Sequence, residues 1–320
     1  MPLTNFPNGV SSFGVPIAGG GMPATSGNYY FVDATNGSDN NRGDSWTSAL
    51  KTVAAAYALT TTNNNDVIVL SANAVHTISA MLDVSKSRVH FVGDVFGRKY
   101  GQRARLNMGV TTAVTDVFVV KNTGIGNTFT GIKFISDNTL TQHVATVGEG
   151  GEYACYRNCE FYSSVNLASD THAELVCNGD SAQFYDCTFG SLADSVSGDK
   201  VRPAVLLTKA TVGAGLVSRD VLFDGCRFWK NAGGTATSMV KGGTTDVERL
   251  MEFHDCQFIA NPLGSAPATA ISLGTITIGV VLLSGDTAAV KCSALATATG
   301  IFAALNVKAA ATHIALQSTN

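Results

Sequence analysis

A six-residue pattern that recurs along the middle of the chain constrains the fold more than any other feature. An aromatic residue is followed by any residue, then by Asn, Asp or Gly, then by Cys, any residue and Phe. The four copies are YRNCEF (156–161), FYDCTF (184–189), FDGCRF (223–228) and FHDCQF (253–258), and an earlier copy, FTGIKF (129–134), has Ile132 in place of Cys. Successive copies are offset by 27, 28, 39 and 30 residues. Such offsets are typical of one coil of a β-solenoid.

Each copy of the pattern predicts a bend between two short strands. The leading aromatic residue ends one strand and faces inward, and Asn, Asp or Gly then turns the chain because these residues tolerate positive φ. Cys and Phe, two positions apart, face inward on the next strand. Stacked coils of this kind predict an all-β protein, a right-handed parallel β-helix with a column of Phe and a column of Cys in its core. An antiparallel sandwich would leave the residue-level repeat unexplained.

The segments on either side of the repeats differ from them in composition. Residues 45–59 predict a helix with Leu50, Val53 and Tyr57 on its apolar face and with Ser45 or Thr47 as its cap. This helix would close the first coil of a solenoid that spans residues 29–261. Residues 262–320 carry small side chains and predict C-terminal β-rich coils or a small subdomain. Residues 1–28 predict an extended arm.

Composition and charge exclude several classes of protein. Hydrophobic residues make up 45% of the chain, charged residues make up 14%, and the net charge is −3, which predicts a folded protein. The basic residues are scattered, so we expect no binding to nucleic acid. The longest apolar run is shorter than the ~20 residues that span a bilayer, so we expect no contact with a membrane. Four of the seven cysteines occupy the repeat, which predicts reduced thiols in the core.

The outward position between Cys and Phe offers no pair of acids for glycoside hydrolysis. It holds, in order, Lys133, Glu160, Thr188, Arg227 and Gln257. Asp186 and Asp255 share the bend position, where a ladder of turn residues is favoured over a catalytic pair. The sequence therefore predicts no catalytic, cofactor-binding or metal-binding residues, no cofactor, and a protein that is not an enzyme.

Two polar segments have both a binding interpretation and a structural one. Asp33, Asn36, Asp39 and Asp44 have the oxygen density of a Ca²⁺ loop without its spacing, and a turn rich in Asp and Asn is favoured. The basic run Arg98, Lys99, Arg103 and Arg105 could hold an anion, but a solvated loop or a subunit contact is favoured.

Large apolar residues follow the core Phe in several copies of the pattern. Tyr162, Trp229 and Ile259 occupy this outward position. Either a loop covers them, or they form a contact column for a neighbouring subunit or for stacked sugar rings.

Two segments of the chain resemble known families. Residues 29–95, from YFVDATNGSDNNRGDSW to VHFVGD, resemble the cap and first coils of pectate-lyase-like β-helix proteins, and the Cys-x-Phe coils extend the resemblance to about residue 261. The leader MPLTNFPNGVSSFGVPIAGGG is similar to that of virion-associated β-helix proteins of tailed phages. It implies a structural virion protein, assembled in the bacterial cytoplasm, that decorates or stabilises the capsid. The alternative is a receptor-binding or polysaccharide-degrading protein of the tailspike kind.

The resemblance to virion proteins also implies partners. The arm would anchor the protein to the major capsid protein or another virion protein, and its apolar residues are Phe6, Val10, Phe13, Val15 and Ile17. Packing of the arm along its own solenoid stays open as an alternative. A homotrimer is expected by analogy, and surface carbohydrate is a further expected partner.

Overall fold

The computed structural model describes residues 10–12, 15–17, 25–94, 103–109, 117–137, 143–163, 172–190, 202–208, 212, 217–230, 238–243, 245–260, 268–274, 276, 278–296 and 301–303. Three parallel sheets wind into a right-handed parallel β-helix, as the repeat predicts. Between residues 66 and 296 each coil contributes one short strand to each sheet, and strands of neighbouring coils pair in parallel.

The strands follow one another through the three sheets in a fixed order. Sheet 1 contains Tyr29–Val32, Asp66–Ser71, Val89–Asp94, Thr128–Thr130, Cys155–Arg157, Gln183–Tyr185, Ser218–Asp224, Val247–His254, Ile278–Ser284 and Ile301–Ala303. Sheet 2 contains Val75–Ile78, Ala104–Met108, Ile132–Ser136, Glu160–Ser163, Thr188–Gly190, Arg227–Lys230, Gln257–Ala260 and Ala288–Val290. Sheet 3 contains Leu82–Val84, Phe118–Asn122, Ala145–Glu149, Leu175–Cys177, Val205–Leu207, Ser238–Gly242, Ala268–Leu273 and Cys292–Ala296. The strands after residue 261 therefore continue the same solenoid.

Two stacks of aromatic rings fill the core. In sheet 2, the predicted column of Phe161, Phe189, Phe228 and Phe258 is fully buried, with successive ring centroids 4.7, 5.1 and 4.7 Å apart. A second stack lies in sheet 1, where the leading aromatic residues of the repeat face inward, and its rings meet those of sheet 2 edge to face. Such ring pairs contribute about 0.5–1.5 kcal/mol each beyond the burial of apolar area.

One residue turns the chain from sheet 1 into sheet 2. Asn158, Asp186 and Asp255 each have φ of 51°, and Gly131 and Gly225 have φ of 67° and 62°. The backbone N–H of each bend residue donates to a carbonyl of the next coil, as Asp186 N does to Asp224 O at 2.9 Å. The turn interpretation of Asp186 and Asp255 is therefore confirmed.

The cysteines of the repeat form a buried column immediately after the bend. Each thiol donates to the carbonyl of a leading aromatic residue in the preceding coil; Cys226 Sγ, for example, lies 3.2 Å from Phe184 O. The coil after Cys256 has Thr287 instead, and its hydroxyl donates to Phe253 O at 3.0 Å. Burial raises the pKa of the Cys187 and Cys226 thiols well above the ordinary value, so these groups stay protonated as donors.

The observed cap helix is shorter than the span of residues 45–59 that the apolar pattern predicts. The α-helix is Val53–Leu59, preceded by a 3₁₀ turn at Trp46–Ser48. The backbone of Leu50 interrupts the predicted span because its N–H donates to Phe31 O and its carbonyl accepts from Asp33 N, both at 2.8 Å. Thr52 is the N-cap in place of Ser45 or Thr47.

The cap helix still closes the first coils. The Tyr57 ring stacks on Phe91 at a centroid distance of 6.2 Å, and Val53 and Ala56 are buried in the core. The helix therefore covers the aromatic stack at its N-terminal end. No helix among the described residues is long and apolar enough to cross a membrane.

The junction from sheet 2 to sheet 3 varies in length from coil to coil. In five successive coils it comprises residues 137–144, 164–174, 191–204, 231–237 and 261–267. The bend from sheet 1 to sheet 2 keeps the same length in these coils, so the inward alternation of side chains is preserved.

Candidate functional site

The predicted outward column lies on the outer face of sheet 2. Parallel register aligns Ile135 with Tyr162, Gly190 with Trp229, and Trp229 with Ile259. Tyr162, Trp229 and Ile259 are all half-buried. We name Ile135, Tyr162, Gly190, Trp229 and Ile259 the aromatic column.

Gly190 separates the two aromatic rings of this column. Its φ is +86°, and a Cβ at this position would lie 2.2 Å from the carbonyl oxygen of Trp229. No side chain therefore fits between Tyr162 and Trp229, which stand two coils apart. With strands about 4.8 Å apart, the spacing is about 10 Å, comparable to the length of a disaccharide.

Polar side chains run beside the aromatic column. Lys133 Nζ lies 2.7 Å from Glu160 Oε1 and 4.8 Å from the centroid of the Tyr162 ring. Arg103 Nη1 contacts the other oxygen of Glu160 at 3.2 Å. Burial raises the pKa of the Tyr162 phenol, and the nearby carboxylates of Glu174 and Asp137 raise it further, so the hydroxyl stays protonated.

A cation and an aromatic ring also meet on the outer face of sheet 1. The Arg157 guanidinium lies 4.2 Å from the centroid of the Tyr185 ring, on the neighbouring coil. Together with Lys133 and Tyr162, this pair places flat apolar surfaces next to hydrogen-bond donors. Such a combination suits the rings and hydroxyl groups of sugars.

A cluster of possible metal ligands lies at the bend between sheets 1 and 2. Asp224 and His254 are register partners on neighbouring strands, and Asp255 is the next bend residue. One ligand atom from each of these three side chains lies within 4.8 Å of the others. We name Asp224, His254 and Asp255 the bend cluster.

The repeat pattern alone did not reveal this cluster, because its second position accepts any residue. That position holds Arg157, Tyr185, Asp224 and His254 in successive copies, and all four project outward in one column. Alignment of the copies contains the signal, because Asp and His fall on neighbouring coils.

The carboxylates of the acidic segment before the cap helix accept hydrogen bonds from the surrounding chain. Asp33 Oδ1 accepts from the N–H groups of Thr35 and Asn36. Asp39 Oδ1 accepts from Lys51 N and Thr52 N at 2.9 and 2.8 Å.

Asp44 accepts from the hydroxyl groups of Ser45 and Ser48 in the same segment. These contacts and those of Asp33 join residues at most four positions apart, as the favoured turn interpretation predicts, whereas Asp39 bonds to the backbone 12 and 13 residues later.

The structure describes only part of the basic run. Arg98 and Lys99 lie outside the described residues. Arg103 is buried, and its guanidinium donates to the backbone and side-chain oxygens of Asn158 at 2.8 and 2.9 Å. Arg103 therefore braces the bend and is not part of a solvated loop.

The arm contains a short antiparallel pair of strands. Val10–Ser12 pairs with Val15–Ile17, and Val10 is aligned with Ile17. These residues are therefore paired strands, and the extended arm over residues 1–28 stays a prediction. Phe6 and Phe13 lie outside the described residues.

Comparison with solved structures identifies the same fold in carbohydrate-active enzymes. A pectin methylesterase in complex with a hexasaccharide matches with a TM-score of 0.52 and 11% identity, over 88% of this chain and 93% of that one. A pectate lyase matches with a TM-score of 0.51 and 12% identity, over 90% and 82%. ORF18 of Geobacillus virus E2 matches with a TM-score of 0.41 and 11% identity, over 78% of this chain and 55% of that one. No protein-family model and no curated protein matches the chain.

These comparisons contradict the prediction that the protein is not an enzyme, because the matched structures include pectin methylesterases and a pectate lyase. That prediction depended on paired carboxylates in one outward column and at one bend position. An active site on a solenoid can combine residues of neighbouring columns and of loops. A search for pairs within one column or at one bend position does not detect such a site. At 11–14% identity the likeness shows the fold alone, so no catalytic residue is transferred to this chain.

Proposed function

We propose that the protein binds an extended polysaccharide along the aromatic column. The observation that carries this proposal is the pair of half-buried rings, Tyr162 and Trp229, held two coils apart with Gly190 between them. Alternate sugar rings of a chain lying along the solenoid would stack on Tyr162 and Trp229. Lys133 and Glu160 would lie beside the sugar hydroxyls.

Substitution of the two rings tests this proposal. We expect the full-length protein to bind at least one member of a panel comprising polygalacturonate and purified bacterial capsular polysaccharides in affinity electrophoresis. The double variant Tyr162→Ala/Trp229→Ala should bind at least about tenfold more weakly, since each ring contact contributes about 0.5–1.5 kcal/mol beyond area burial.

A tyrosine outside the column serves as the control. Tyr153 is 63% exposed, so Tyr153→Ala should leave binding unchanged. No binding to any polysaccharide of the panel, or equal binding by the double variant and the native protein, would refute the proposal.

As a second role, we propose that the protein is a structural component of a tailed phage particle, attached through its N-terminal arm. Among the described strands, the hairpin of Val10–Ser12 and Val15–Ile17 forms a sheet of its own and is not hydrogen-bonded to the solenoid sheets. This supports an arm that serves a partner surface. The leader resemblance suggests that the partner is the major capsid protein or another virion protein.

Deletion of residues 1–27 tests the anchor. The truncated protein should lose co-sedimentation with phage particles that lack the native protein, while circular dichroism shows the same β-sheet content. Full retention on the particle would contradict the anchoring role.

We also propose self-association through the last coils. Leu250, Ile278 and Val280 are 39%, 48% and 38% exposed on the outer face of sheet 1. Apolar groups in one patch favour a protein partner, and a second copy of the chain is the partner expected from the trimer analogy. Light scattering should give a trimer mass that Val280→Asp lowers; a monomer mass for the native protein would contradict this.

A further inference from the structure

We infer that the bend cluster of Asp224, His254 and Asp255 binds a divalent transition metal such as Zn²⁺. This inference is independent of polysaccharide binding, because it depends on different side chains. It is supported by the positions of the ligand atoms and by the hydrogen bonds that fix the His254 ring.

The fold brings the three ligands together from neighbouring coils. Asp224 and His254 are the last residues of adjacent sheet 1 strands, in direct register, so both side chains project outward side by side. Asp255 follows at φ of 51°, which turns its carboxylate toward the same edge. The participating atoms lie within 4.8 Å of one another, close enough to share one ion.

The hydrogen bonds of Ser284 determine which nitrogen of His254 carries a proton. The single hydroxyl proton of Ser284 is donated to Glu252 Oε1 at 2.5 Å, because a carboxylate can only accept. Ser284 Oγ must then accept from His254 Nδ1, which lies 2.9 Å away. Nδ1 is therefore protonated, and Nε2 is the nitrogen that points to the bend cluster.

Nε2 of His254 lies 3.5 Å from Asp255 Oδ2. In the neutral ring, this geometry sets a lone pair against a carboxylate, which is unfavourable without a cation between them. Among the described residues, Asp224 makes no side-chain hydrogen bond or ion pair, so a divalent ion would satisfy both acids together.

Surrounding groups orient the ligands as they do in established metal sites. Ser284 accepts from His254 Nδ1 and donates to the Glu252 carboxylate, so Glu252 fixes the His254 ring through Ser284. Asp286 N donates to Asp255 Oδ1 at 2.6 Å. Outer groups of this kind fix the tautomer and orientation of a ligating His and typically change metal affinity about 10–100-fold.

The ligand set selects the class of metal. One imidazole nitrogen with two carboxylate oxygens suits Zn²⁺ and its first-row neighbours better than Ca²⁺ or Mg²⁺, which prefer oxygen ligands alone. The cluster is partly exposed, so water would complete the coordination.

Calorimetric titration of the chelator-treated full-length protein with ZnCl₂ tests the site. We expect one ion per chain, with His254→Gln and Asp224→Asn each weakening binding about tenfold or more. Co²⁺ provides a second probe, because its visible absorption bands should appear on binding and be lost in His254→Gln.

Two further variants make the result specific. Asp83 is exposed on sheet 3, away from the cluster, and Asp83→Asn should bind Zn²⁺ like the native protein. Glu252→Gln, which changes a positioning residue and no ligand, should weaken binding while leaving one ion per chain. Absence of Zn²⁺ binding, or binding that neither ligand substitution weakens, would overturn the site.

Discussion

A carboxyl group inside the solenoid should make its stability depend on pH. Glu149 is fully buried, and it accepts from Tyr156 Oη at 2.5 Å, Asn122 Nδ2 at 2.8 Å and Gly151 N at 2.7 Å. Burial raises its pKa from the ordinary value of 4.5 to about 7, although the three hydrogen bonds act in the opposite direction. The folded protein therefore holds this proton more tightly than the unfolded chain does.

The sign and size of the effect follow from that difference. Below about pH 4.5 both states are protonated, and the contribution to stability is fully present. As the pH rises to about 7, only the unfolded chain releases the proton, so the free energy of unfolding falls. A difference of about 2.5 pKa units at 1.36 kcal/mol each lowers it by about 3 kcal/mol between pH 4 and pH 8.

Urea unfolding at pH 4 and pH 8, followed by far-ultraviolet circular dichroism, measures this change. In Glu149→Gln the pH-dependent loss should shrink by about 3 kcal/mol, because the amide does not titrate. Glu152→Gln is the same substitution at a half-buried position three residues away. In this variant the free energy of unfolding should fall between pH 4 and pH 8 as it does in the native protein. An unchanged pH dependence in Glu149→Gln would refute the reasoning.

Three further predictions concern the core and its bends. Phe189→Ala should lower the free energy of unfolding in urea by about 3–5 kcal/mol, because it leaves a cavity between stacked rings, whereas the exposed Tyr153→Ala should change it little. Cys226→Thr should be tolerated better than Cys226→Val by about 1 kcal/mol, because a hydroxyl can replace the thiol donor, as Thr287 shows; equal stability of the two would contradict the donor role. Asp186→Gly should fold normally, whereas Asp186→Val should lower the melting temperature, since β-branched residues disfavour φ of 51°; equal melting temperatures would contradict the bend interpretation.

Residue spacing was sufficient to predict the fold. The pattern that ends at Phe161, Phe189, Phe228 and Phe258 encodes both the bend and the inward alternation, and both are local properties of a coil. For this reason the stacked rings and the positive φ of Asn158 could be derived from the repeat alone.

Contacts between distant segments explain what the sequence did not reveal. The cap helix begins at Val53 because the backbone of Leu50 pairs with a strand nearly twenty residues earlier, which overrides its helical pattern. Arg103 turns inward because Asn158, two coils away, offers it two oxygens. The bend cluster was missed because Asp224 and His254 become neighbours only through the register of adjacent coils.

The unequal junctions between sheets 2 and 3 have a consequence for how such a chain can diversify. An added residue at the bend of Asp186 would reverse the alternation of the following strand and point Phe189 outward. Residues added within 191–204 would leave every strand in place, since that connection already exceeds its counterparts. New loops, tags or whole recognition elements can therefore be inserted at the junction between sheets 2 and 3. The bend between sheets 1 and 2 tolerates substitution but not insertion.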